Sequence, residues 1–167
     1  MPRILWAALL FSHAVYAAIL LVPGLADVAP APGEATMVLA LGGAAVAVAV
    51  ASFLVPRIVS ASAYARAQAE LSTDRGPSAL DRQNLDRLFA DPEAARREAY
   101  QLGFTPFILA LALSEAVSQF GLVLGFLGHP MHVYLPLIVL GAVLTAVRFP
   151  TDAGFLLPLA RARGANV

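Results

Sequence analysis

The sequence of 167 residues contains no cysteine and no lysine, and only 13% of its residues are charged. Without thiols the chain forms no disulfide, offers no thiolate to a metal and has no cysteine nucleophile. All 11 basic residues are arginine, a usage expected of a GC-rich genome. A soluble domain carries about 25% charged residues, so this low charge, together with 59% hydrophobic residues, points to a membrane protein. The formal net charge of +0 removes the electrostatic excess that drives nucleic-acid binding. Gly-rich phosphate loops, nucleophile elbows and HExxH are also missing, so neither an enzyme nor a cofactor is expected.

What is present is a set of four apolar runs. Ile4 to Val22 is the first, preceded by Arg3 and closed by Pro23 and Gly24. A cleaved signal peptide is its rival reading, with Gly24 and Ala26 before Asp27 as the cleavage site. The length of the run and Ser12-His13 halfway along it favour an uncleaved anchor. A Pro- and Gly-rich connector leads to the second run, Thr36 to Val55, which is built from Gly, Ala and Val. Its Ala-Val alternation imitates a strand, but a lone strand leaves its backbone unsatisfied in lipid, so a helix is expected. Thr105 to Leu127 is the third run. After the tight turn Gly128-His129-Pro130-Met131 comes the fourth, 132–149, in which a snorkelling Arg148 makes up the length.

Between the second and third runs, Pro56 to Gly103 is polar and holds seven arginines. By the positive-inside rule this loop is cytoplasmic. Ala63 to Leu71 extends the second helix until Gly76-Pro77 breaks it. Ser78 caps an amphipathic piece through Phe89, and Asp91-Pro92-Glu93 starts a further helix towards Tyr100. The tail from Gly154 to Arg163 reads as an interfacial patch. With four spans and both termini inside, all 11 arginines fall on one side, leaving Asp27, Glu34, His129 and His132 outside. The expected fold class is therefore all-α: one integral, multi-pass domain over 1–167 in a bacterial inner membrane. Spans 4–22, 36–55, 105–127 and 132–149 surround a helical cytoplasmic loop, 56–103.

The residue that calls for explanation is Glu115, near the middle of the third run. An acidic side chain at the centre of a membrane helix costs roughly 2.5–3.5 kcal/mol on insertion scales and is a functional candidate by default. Ser114, Ser118 and Gln119 lie on or beside its helical face, and His13, midway along the first run, is the candidate partner across the bundle. Gly121 and Gly125 form a GxxxG edge, and Gly42-Gly43 a second small-residue surface, suited to close helix packing. His129 and His132 make an i, i+3 pair with no third ligand, so no metal site is expected.

Ala112-Leu113-Ser114-Glu115-Ala116, followed by Phe120-Gly121-Leu122-Val123-Leu124, resembles the carboxylate-bearing helix of rotary ATPase proteolipids, the c subunits. Gly42-Gly43-Ala44-Ala45 resembles the small-residue helix of the same hairpin. That resemblance implies a glutamate that reversibly binds a transported proton or sodium ion. The chain departs from it in its outer pair of helices and in the long 56–103 loop. The whole pattern, with Arg148-Phe149-Pro150-Thr151 after the last span, is similar to a family of uncharacterised four-helix bacterial membrane proteins. Three readings stay open: a non-enzymatic four-helix protein in which Glu115 is interhelical glue, a proton- or cation-binding subunit using Glu115, and an accessory subunit docking a soluble partner through 56–103. The lipid bilayer, a second copy of the chain or a membrane complex are its expected partners.

Overall fold

A computed structural model of the chain describes residues 2–22, 34–74 and 92–162. Among them are five helices and no strand: α1 Pro2–Leu20, α2 Glu34–Asp74, α3 Pro92–Phe126, α4 Met131–Ala146 and α5 Asp152–Ala162. Three helical stretches are long and apolar enough to cross a membrane, Pro2–Leu20, Ala35–Arg66 and Arg96–Phe126, while Met131–Ala146 is a shorter apolar helix. The Ala-Val run of α2 is helical, as backbone satisfaction in lipid requires. The expected helix over Ser78 to Phe89 and most of the connector after Val22 lie outside the described residues.

One expected boundary is absent. The helix beginning at Pro92 does not end near Tyr100 but continues as α3, with Pro106 inside it. Proline removes one helical N–H and frees the carbonyl four residues back, here that of Leu102, and one lost bond does not stop a helix with 31 residues in its apolar stretch. Likewise α2 runs on past Pro56, which frees the carbonyl of Ser52.

Residues 1–54 and 109–149 form one compact unit. In it α1 and α4 run antiparallel. The Trp6 indole donates to the Thr145 carbonyl at 2.8 Å towards one end, and Leu20 clusters with Tyr134 and Ile138 towards the other. In α2, Ala45 is fully buried with Val117 and Leu144. The two glycines of the GxxxG edge serve different neighbours. A Cβ on Gly121 would stand 2.8 Å from the Tyr134 carbonyl, and one on Gly125 would stand 2.6 Å from the Leu20 methyls. Among the described residues, no atom beyond the helix's own nearby backbone lies within 4 Å of a Cβ position at Gly42 or Gly43. The tightest approach is at a glycine the sequence reading passed over. At Gly141 of α4, an added Cβ would overlap the Ser118 hydroxyl and come within 2.7 Å of the Ser114 carbonyl. Between α3 and α4, Gly128 takes φ 80. Its N–H bonds the Gly125 carbonyl and that of His129 the Leu124 carbonyl, a Schellman stop that needs a left-handed residue.

Residues 55–108 and 150–167 form the second unit. Ala99, Phe155 and Leu159 are its buried centre, flanked by Tyr64, Tyr100 and Phe107. Phe155 packs so closely on Gly103 that a Cβ there would stand 2.6 Å from the ring. Asp152, in the first turn of α5, accepts a 2.7 Å hydrogen bond from Tyr100 and lies 3.5 Å from Arg96. The tail is therefore not an interfacial patch as a whole: the apolar face formed by Phe155 and Leu159 is buried in a protein core.

Candidate functional site

Leu9, Ser12, His13 and Tyr16 fall at i, i+3, i+4 and i+7 and so share one face of α1. That face meets α3 at Glu115, which is only 7% exposed. One carboxyl oxygen, Oε1, accepts from the Ser12 hydroxyl at 2.7 Å and from the Tyr16 hydroxyl at 2.5 Å. The other, Oε2, lies 3.5 Å from Nε2 of His13, and neither of these two buried atoms has a hydrogen-bond partner.

The tautomer of His13 follows from its other nitrogen. Nδ1 is 2.6 Å from the Leu9 carbonyl, which can only accept, so Nδ1 carries a hydrogen. In the neutral ring Nε2 is then a lone pair aimed at Oε2. The two atoms can share one proton, placed on oxygen (neutral acid, neutral imidazole) or on nitrogen (carboxylate, imidazolium). Either arrangement is neutral overall, and either closes the gap by a contraction to about 2.7–2.9 Å. Ser12 adds a rotor: its single hydrogen has two acceptors, the Leu9 carbonyl at 2.6 Å and Oε1 of Glu115.

No family model, curated protein or solved structure matches the chain.

Of the residues named from sequence, His13 and Glu115 are brought together. Ser114 and Ser118, fully buried, turn elsewhere: Ser114 donates to the Ala110 carbonyl at 2.8 Å and Ser118 to the Ile138 carbonyl at 3.2 Å. Gln119 is exposed, within reach of the Tyr16 hydroxyl. Tyr16 is absent from the sequence reading, and Ser12 enters it only as part of a polar interruption in the first run. The signal was available, since Ser12, His13 and Tyr16 form a polar stripe at helical spacing in an otherwise apolar run. His129 is buried while His132 is exposed, and no group of three or more metal-ligating side chains occurs among the described residues.

A second polar cluster gathers around Arg148. Rather than snorkelling outward, its guanidinium folds inward and is half-buried. Nη1 donates to the Ala110 carbonyl at 3.1 Å and to the Ser114 hydroxyl. Nη2 donates to the Ser52 carbonyl at 3.0 Å and to its hydroxyl at 2.9 Å, and the group stacks 4.8 Å from the Phe53 ring centre. The Ser52 carbonyl is the one that Pro56 deprives of its helical donor, so Arg148 supplies from α4's end what the proline took from α2.

Proposed function

We propose that the chain is a non-enzymatic, four-span protein of a bacterial inner membrane, both termini cytoplasmic, whose His13–Glu115 pair reversibly binds a proton inside the bundle. The observation that carries this reading is the pair of facing atoms, Nε2 and Oε2, 3.5 Å apart with no other partner. A purely structural carboxyl is expected to have both oxygens bonded, because an unpartnered buried polar atom costs about 1–3 kcal/mol. A proton suits this site better than a metal cation. Hard cations require several oxygen lone pairs, whereas Oε1 already lies within hydrogen-bond distance of the Ser12 and Tyr16 hydroxyls and the remaining approach is a single imidazole nitrogen.

Four spans are supported by the first unit, in which segments of α1, α2, α3 and α4 pack together with α1 antiparallel to α4. The one-sided arginines support the orientation. Cysteines introduced at Ala29 and Gly76 are expected to label from opposite faces of the membrane. The reading of Glu115 as neutral glue draws its support from the two hydroxyl bonds to Oε1. A docking role for 56–103 depends in part on residues outside those described.

Difference infrared spectroscopy on the protein in lipid separates the two readings. A proton site gives a pH-dependent infrared signature, a carboxylic-acid carbonyl band if the proton rests on oxygen or imidazolium bands if it rests on nitrogen, that is lost in Glu115→Gln. A band that is present at every pH, or one that survives in the Gln variant, refutes the proton site.

A further inference from the structure

Gln119 is the exception on the outer surface of the first unit. Across 4–22, 37–54, 109–127 and 133–147, every other exposed residue described is apolar. The amide lies seven residues before the end of α3, about 10 Å along the helix at 1.5 Å per residue. If α3 spans the membrane as proposed above, that depth is inside the hydrocarbon, where polar side chains belong against protein.

The residues around it are spaced for helix pairing. Ala112, Ala116, Gln119, Val123 and Phe126 follow one another at intervals of four, three, four and three. This is the repeat that keeps one seam of a helix against a partner helix. All but Ala116 are exposed, and Ala116 is partly so. Two alanines below the amide permit close backbone approach. The glycine edge of α3 is a different face, already filled by Leu20, Leu137 and Ile138 of the same chain. A side-chain amide has two N–H donors and a carbonyl with two lone pairs, more than the nearby Tyr16 hydroxyl can engage. An amide is also self-complementary, so the group best suited to meet Gln119 across a two-fold axis is another Gln119.

We infer that α3 pairs with α3 of a second copy, parallel and in register, about an axis along the membrane normal, with Gln119 bonded to Gln119 at the centre of the seam.

The absence of native cysteine makes the test direct. Single variants Ala116→Cys, Val123→Cys and, as control on α2, Leu39→Cys are oxidised in bilayers, with Leu39 chosen because it is 75% exposed. Disulfide-linked pairs are expected at 116 and 123 and not at 39. Photobleaching of singly labelled chains in dilute bilayers should show two steps. Gln119→Leu should weaken association about three- to tenfold, and Gln119→Asn should retain most of it. An inserted chain that bleaches in one step, that cross-links as well at 39 as at 116, or that pairs equally well with Leu at 119 overturns the inference and leaves the proton site standing. Release of the wild-type chain by alkaline carbonate overturns the membrane reading and the pairing together.

Discussion

The first unit holds an acidic and a basic side chain, Glu115 and Arg148, in apolar surroundings and equips them in opposite ways. Arg148 donates to four acceptors on two helices, two carbonyls and two hydroxyls, and each contact has a local cause. One of those carbonyls is orphaned by Pro56, so the cluster is closed at both ends. Glu115 has one oxygen doubly bonded and the other facing an equally unpartnered nitrogen. A closed cluster can only hold helices together. An open one leaves two facing atoms, Nε2 and Oε2, able to share one proton, and the chain retains it although partly satisfied buried polar groups are costly. The difference is what distinguishes a structural charge from a candidate working one.

The largest expected disruption strikes both clusters at once. Gly141→Ala would drive a methyl group into Ser118 and the Ser114 carbonyl, on the turn of α3 that carries both Ser114 and Glu115. Overpacking on backbone should cost about 3 kcal/mol, read as a lowered unfolding midpoint in detergent, whereas Gly43→Ala, which meets open space, should be neutral. Next comes the closed cluster alone. Arg148→Met should destabilise by about 2 kcal/mol by returning the Ser52 carbonyl to an unbonded state, and Arg148→Lys should recover only part, because an ammonium cannot reproduce the fork. If Met and Lys variants melt like the wild type, the cluster is not holding α2, α3 and α4.

The open cluster should respond differently to two substitutions at one position. Glu115→Leu removes the acceptor of two hydroxyls and should cost about 2 kcal/mol. Glu115→Gln keeps an acceptor oxygen and should cost well under half of that while abolishing proton exchange. Equal stability losses in the two would erase the contrast with Arg148. The smallest effect is that of Tyr16→Phe, which deletes one hydroxyl donor to Oε1 and should cost about 0.6 kcal/mol, an average membrane hydrogen bond. Its sharper readout is the infrared band, which should shift in frequency yet remain pH-dependent.

The open cluster was largely readable in the sequence and the closed one was not. Glu115 and His13 are polar residues near the centres of apolar runs, and depth in the membrane is a one-dimensional property, so two mid-span groups are natural partners. Tyr16 was equally visible, one turn from Ser12 and His13, but a phenol in an apolar run reads as packing. Arg148 misleads because an arginine at the end of a span ordinarily snorkels towards headgroups. What draws it inward is a carbonyl 96 residues earlier in the chain. A helix boundary failed for a related reason. The helix from Pro92 looks like a separate piece ending near Tyr100 when only local polarity is weighed, yet α3 continues through Tyr100 and Pro106 into the apolar run. The glycines show the same limit. Spacing marked Gly121 and Gly125 as packing residues, but not which neighbour each would meet, nor that Gly141 of α4 would approach its neighbouring helix more closely than either.

The bond from Arg148 to the Ser52 carbonyl also imposes an order on synthesis. A ribosome adding about 5–20 residues each second makes Ser52 well before the arginine that completes it, 96 positions later. For about 5–20 s the nascent second helix carries a carbonyl with no helical donor. Until translation reaches Arg148, that group must be covered by water or by the insertion machinery. A chain stalled anywhere in that interval would display an unfinished helix, a feature by which quality-control proteases could tell it from the finished protein.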